Sequence, residues 1–157
     1  PRRSADRVAG ARVVATGGGR TRGLARLPML VRTLLAVARE HRRRPFQVVH
    51  ALWVHEPGAV AVLAARLLRL PVVTSVLGGE LVALPDIGYG GGLSRSNAWL
   101  ARWALSGSHP VTVGSEMVRQ VVAGTVAPER LVRLSLGVDT GRFSPSGTAG
   151  GSSLDGG

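Results

Sequence analysis

The sequence predicts an α/β fold, an open, Rossmann-like parallel sheet with helices on both faces. Three observations point to it. Short β-branched runs alternate with helical segments of roughly ten or more residues, the pattern of successive βαβ units. The run Pro71–Val76 (PVVTSV) is nearly continuous in apolar residues, as strands covered by helices on both faces are. No internal repeat with a period of about 20 to 50 residues marks a solenoid instead.

Each element has its own local reason. Arg12–Thr16 (RVVAT) is a β-branched run stopped by Gly17, Gly18 and Gly19, which reads as a strand ending in a loop. Pro28 then opens a helix, a position proline suits. Leu30, Val31, Leu34, Leu35 and Ala38 recur at helical spacing, and Pro45 sets the end near Arg44. Phe46–His50 (FQVVH) is the next strand. Pro57 starts a helix running to about Arg69 that is apolar on most sides through Val60, Val62, Leu63, Leu67 and Leu68, as expected of a helix buried on a sheet. Pro71–Val76 follows as a buried strand. Leu77–Gly92 is rich in glycine and reads as a long loop. A helix over Ser94–Leu105 is N-capped by Ser94 or Ser96. Val111–Val113 is a strand, Ser115 caps a helix through about Ala123, and Leu131–Ser135 is the last strand. Residues 1–145 form the domain. From 146 to 157 the Gly/Ser composition reads as a flexible tail or interdomain linker.

Composition removes several chemistries. The chain has 157 residues, a one-domain length, and 20 cationic against 9 acidic side chains for a net charge of +11. Every cation is arginine, which removes nucleophilic and phosphate-gripping lysines. There is no cysteine, which removes thiol nucleophiles, disulfides and thiolate zinc sites. The longest uncharged apolar run, Pro57–Ala65, ends at Arg66, far short of the roughly 20 residues of a membrane span. A cytoplasmic location is the expectation, with contact at the inner face of a membrane as the alternative. The excess charge calls for an anionic partner. Aromatics are 4% of the chain and no base-reading motif is present, so nucleic acid is not expected. The arginines at 39, 42, 43 and 44 cluster at a helix end, where they complement the macrodipole or meet anionic lipid.

Ligands of doubly wound sheets bind at the carboxyl ends of the strands. Gly17–Gly23 offers G-x-G-x-x-x-G, one residue away from the dinucleotide fingerprint, and neither a helix start at the glycines nor an acid after the next strand accompanies it. A nicotinamide site is therefore not expected, and no cofactor is assigned. His50, His55 and Glu56 lie close together but are not spaced as ligands on one helix turn. No Asp-x-Asp stands anywhere to hold a metal-bridged diphosphate, and no metal site is assigned. Pro71-Val-Val-Thr-Ser-Val-Leu-Gly-Gly-Glu-Leu81 carries a buried strand into two glycines and an acid. Glycines there let backbone N–H groups approach a ligand, or simply make a turn. Leu134–Pro145 ends a strand at Gly137, with Asp139 placed to cap and Phe143 before Pro145.

Taken in order, four segments resemble the N-terminal half of a retaining glycosyltransferase of family 4, which has the GT-B fold. Phe46-Gln-Val-Val-His-Ala-Leu-Trp53 resembles the family's D-V-V-H-x-H strand end. Leu70-Pro-Val-Val-Thr-Ser-Val-Leu-Gly-Gly-Glu80 resembles its P-V-V-x-T-x-H-G-x-E/D segment. Pro110-Val-Thr-Val-Gly-Ser-Glu116 resembles its strand-to-Ser step, and Leu134–Pro145 its I-P-N-G-V-D-x-x-x-F-x-P segment. Three positions depart from the pattern. Leu52, Leu77 and Leu136 stand where the family has His, His and Asn, and a leucine donates nothing to a sugar hydroxyl.

The resemblance implies a metal-independent transfer of a sugar from a nucleotide-sugar donor, with retention. The donor is held by a C-terminal domain, and the acceptor (a carbohydrate, lipid or small molecule) is received by this half. It implies that the family's first strand precedes residue 1, and that the chain alone is inactive. No catalytic residue is assigned. The substrate-binding candidates are His50, Trp53, Glu56, Gly78, Gly79, Glu80, Asp86 and Tyr89. Trp53 and Tyr89 offer rings for stacking on a sugar, and Glu80, His50 and backbone N–H groups offer the polar contacts. Ser115 and Asp139 read as structural caps. The alternative function is a non-catalytic Rossmann-like module binding a nucleotide or an anionic membrane.

Overall fold

The computed structural model describes residues 5–8, 10–16, 27–141 and 143. The Gly17–Gly23 run, Pro145 and the 146–157 tail lie outside them. The chain opens with β1 (Ala5–Val8) and β2 (Ala11–Val14), paired antiparallel with Val8 opposite Ala11. Gly10 at φ 81° supplies the left-handed residue of the tight turn. This corrects the expectation for Arg12–Thr16. The run does make a strand, but a tight turn can join only antiparallel neighbours, so it pairs with the unforeseen Ala5–Val8 as a separate hairpin and not with the parallel sheet.

Helix α1 (Leu27–Arg43) follows. It ends where Pro45 forbids continuation, and the Phe46 N–H donates to His41 Nδ1 at 3.0 Å. That bond commits Phe46 to the helix exit, which is why the next strand, β3 (Val49–Leu52), begins later than the Phe46 expected from sequence. Then come α2 (Glu56–Leu68), β4 (Val72–Val76), α3 (Arg95–Gly107), β5 (Val111–Val113), α4 (Glu116–Ala123) and β6 (Leu131–Arg133). Ser94 accepts the Asn97 N–H and Ser115 accepts the Val118 N–H, so both expected serine caps form, the first of them at Ser94. The Arg130 guanidinium closes the other end of α3 by donating to the carbonyls of Leu105, Ser106 and Ser108.

The parallel sheet has the order β3-β4-β5-β6, with Leu52 opposite Ser75, Ser75 opposite Thr112 and Thr112 opposite Val132. The expected Rossmann-like α/β sheet therefore forms. Its helices, however, share a face. Each crossover steps the same way along the sheet, and right-handed crossovers in one direction place every helix on one side. Covering both faces needs a reversal of strand order, and the described residues contain none. Side-chain parity agrees. Ala51, Val72, Val76, Val111 and Val113 point to the helices and share the two hydrophobic clusters with helix residues such as Val62, Ala65, Ala101, Leu105 and Val122. The alternate residues Leu52 and Val132 are exposed.

Helix α1 packs on α2 beside the open edge of β3. Its burial departs from expectation. Leu30, Leu34 and Ala38 are half-buried, but Val31 and Leu35, counted in the same apolar stripe, face outward. A helix laid against one neighbour buries a stripe narrower than its apolar residues cover.

Candidate functional site

The sheet register brings the carboxyl ends of the four strands to one rim. There the chain leaves β3 through Trp53 into α2, β4 into the 77–92 loop, and β5 through Gly114 into the Ser115 cap. Trp53 holds a positive φ of 84° while its N–H donates to the Ser75 carbonyl at 3.1 Å. A left-handed tryptophan is strained by roughly 1–3 kcal/mol, and half of this one is exposed at the rim. Gly58 explains the tight turn below it, since a Cβ there would press on the Trp53 carbonyl and Ala104.

His50 lies on β3, exposed, with Nε2 at 2.8 Å from Ser75 Oγ, which is 2.6 Å from Thr112 Oγ1. The three make a polar line across β3, β4 and β5. Ser75 and Thr112 were not singled out in the sequence. Their signal was there, as hydroxyl residues inside otherwise apolar buried runs. Glu56 opens α2, its carboxylate near the positive end of the helix.

The 77–92 loop is folded, not open. Glu80 is only 2% exposed, and its two carboxylate oxygens accept the N–H groups of Leu77 at 2.7 Å and Gly78 at 2.8 Å. The Gly79 carbonyl accepts the N–H groups of Gly91 and Val82, and Leu84 and Tyr89 exchange both backbone hydrogen bonds around the turn Pro85–Ile87. Gly79 lies against the hydroxyl end of Tyr89, which a Cβ would push aside, and Gly91 lies against the His55 ring and the Glu80 carbonyl, where a Cβ does not fit. Gly78 has open space where a side chain would point.

The loop therefore unites Gly78, Gly79, Glu80 and Tyr89, while β3 and the start of α2 unite His50, Trp53 and Glu56 at the same rim. Asp86 stands apart on the outer turn, exposed. His55, noted in the sequence beside His50 and Glu56 but not among the binding candidates, also lies here. Its Nε2 is buried behind Gly91 without a hydrogen-bond partner. The Gly90–Gly92 run was the signal, because consecutive glycines mark a place where another group comes close.

This arrangement restricts ligand chemistry. The two N–H groups that best suit an anion are already bound to a carboxylate, whose charge repels phosphate. Exposed Trp53 and Tyr89 rings suit the apolar face of a sugar. Among the described residues no group of three or more His, Asp or Glu side chains is placed to hold a metal. A cavity of about 350 Å³ runs from this rim along the β3 edge, lined by His50, Leu52, Glu56 and, from α1, Met29 and Leu30. A larger one, about 540 Å³, lies between β2 and α1 and contains none of the expected site residues.

The sequence matches the profile described as Glycosyltransferase Family 4 over residues 1–142. The chain belongs to glycosyltransferase family 4. No curated protein matches it. Family membership implies a nucleotide-sugar donor and an acceptor. The three departures from the family's pattern all fall on the carboxyl side of the sheet. Leu52 and Leu136 are exposed, and Leu77 is half-buried at the mouth of the loop. Among the described residues, no helix is long and apolar enough to cross a membrane.

Proposed function

We propose that this family 4 chain is the acceptor-side half of a retaining glycosyltransferase, with the diphosphate-sugar gripped by another lobe across the rim. The observation that supports the acceptor side is the buried Glu80 carboxylate on the Leu77 and Gly78 N–H groups. A nest filled by an internal anion suits an uncharged ligand and opposes a diphosphate. In this reading Trp53 and Tyr89 stack on the acceptor, and His50, backed by Ser75, and Glu56 meet its hydroxyls. Glu80 is a positioning residue that holds the loop. Asp86 lies at the outer margin of the acceptor site.

The test is a nitrogen-15 NMR titration of the chain with a neutral glucose oligosaccharide and, separately, with UDP-glucose. The oligosaccharide is expected to shift Trp53 and residues 78–89, and UDP-glucose to leave them in place and unhydrolysed. Saturable UDP-glucose shifts confined to residues 77–80, or turnover by the chain alone, would overturn the acceptor-side reading.

A further inference from the structure

The hydroxyl line behind His50 fixes more than the position of the ring. Each hydroxyl in it has one proton to place, and placing them all sets the direction of both hydrogen bonds. Ser75 is 6% exposed and Thr112 is 8% exposed. Thr112 Oγ1 has a single hydrogen-bond partner among the described residues, Ser75 Oγ at 2.6 Å, and Ser75 Oγ also meets His50 Nε2 at 2.8 Å. If a proton on Nε2 were donated to Ser75, the Ser75 proton would pass to Thr112, and the Thr112 proton would be buried with nothing to accept it. In the opposite direction the Thr112 hydroxyl donates to Ser75, the Ser75 hydroxyl donates to Nε2, and no proton is stranded. A buried donor without an acceptor carries its full desolvation penalty, so the second direction holds. An imidazole that accepts at Nε2 carries its own proton on Nδ1. That nitrogen makes no hydrogen bond among the described residues, and His50 is exposed on the wall of the rim cavity.

We propose that His50 is a fixed hydrogen-bond donor to the acceptor substrate through Nδ1–H, with Ser75 as the positioning residue that sets its tautomer and Thr112 as the support of Ser75. The inference deepens the acceptor-side reading and rests on it for the ligand. It gives His50 a definite role. An N–H on Nδ1 meets a lone pair on a sugar oxygen, and with Nε2 occupied by Ser75 the ring has no nitrogen left to take a proton. His50 therefore orients a hydroxyl oxygen and does not act as its base. Leu52 and Leu77 replace two histidines of the family's pattern, and His50 retains an imidazole donor at that rim.

Long-range proton–nitrogen-15 correlation spectra of the whole chain test it, at about pH 8.5, where ordinary imidazoles are neutral. His50→Gln assigns the His50 signals by their loss. His41 serves as an internal reference, because its Nδ1 accepts the Phe46 N–H at 3.0 Å and its proton is therefore on Nε2. The two rings are expected to show opposite tautomers. Ser75→Ala should lower the His50 ratio of Nδ1–H to Nε2–H by about five-fold or more, the smallest factor expected for a buried hydroxyl proton denied its acceptor. Thr112→Val should keep the Nδ1–H form, since the Ser75 hydroxyl still has Nε2 to donate to. A neutral glucose oligosaccharide should then move the His50 Nδ1 resonance together with Trp53. A dominant Nε2–H form in the parent would overturn the proposal, whether or not any variant folds. So would an unchanged ratio in folded Ser75→Ala, or sugar shifts at Trp53 that leave Nδ1 in place. A sugar that shifts nothing would remove the acceptor-side reading and the ligand with it, and the two failures are distinguishable because the tautomer is read before sugar is added.

Discussion

Replacing Glu80 by alanine separates a positioning role from a substrate-touching one. Glu80 is 2% exposed, and its carboxylate accepts two backbone N–H groups at 2.7 and 2.8 Å. A hydrogen bond to a charged group contributes about 1.5–3 kcal/mol, so two give about 3–6 kcal/mol before relaxation. Leu77 and Gly78 are only half-buried, and water reaching the freed N–H groups offsets part of the loss. The expected cost is therefore about 3 kcal/mol, near the lower end. Urea unfolding followed by tryptophan fluorescence reads it directly. With a slope of about 2 kcal/mol per molar, the midpoint falls by roughly 1.5 M. Glu80→Gln should lie between the variant and the parent, because one carboxamide oxygen still accepts while the amide nitrogen faces a donor. A midpoint for Glu80→Ala within about 0.25 M of the parent would refute the reasoning, for it would mean that the carboxylate is not what closes the loop.

Two further substitutions probe the same rim. Gly91→Ala drives a methyl group into the His55 ring and the Glu80 carbonyl, and overpacking of this kind costs about 1–3 kcal/mol; a thermal melt unchanged from the parent would contradict the placement of the loop on His55. Trp53→Gly releases a residue held at φ 84°, so stability should change by less than about 1 kcal/mol even though a large ring is lost. A loss above about 2 kcal/mol in the same urea assay would show that the tryptophan serves the core and not the rim.

The elements with strong local signals were legible in the sequence. Ser94 and Ser115 cap helices because a short oxygen-bearing side chain before a periodic run satisfies orphan N–H groups, which is a local fact. Val111–Val113 is a strand because three residues between turns have no other apolar arrangement. The β1–β2 hairpin was not legible, since Ala5–Val8 has one β-branched residue and its pairing depends on the single left-handed Gly10. The outward turn of Val31 and Leu35 was hidden for a different reason. Periodicity tells which residues share a face and leaves open how much of that face a neighbour covers. At the site, Gly78, Gly79 and Glu80 were found as a motif, but whether the acid faces a ligand or its own backbone depends on the path of the loop. The Gly90–Gly92 return to His55 joins residues 36 apart in the chain (91 − 55), and no local pattern encodes it.

The acceptor-side reading and the donor role of His50 meet at the β3 edge and can fail separately. The first turn of α1 reaches the rim, where Met29 and Leu30 share a cavity with His50, Leu52 and Glu56. His50 is thus placed where a sugar would be received, but the direction of its hydrogen bond comes from the sheet and not from a ligand. Ser75 and Thr112 are register partners on β4 and β5, so strand pairing fixes their contact before anything binds. A chain with the His50 proton on Nδ1 but no sugar response at Trp53 would retain the oriented ring and lose the acceptor site. The converse result would retain the acceptor site and leave His50 out of its donors. Their physical bases differ as well. The tautomer rests on where buried hydroxyl protons can go, whereas sugar binding at Trp53 and Tyr89 rests on the apolar faces of two exposed rings.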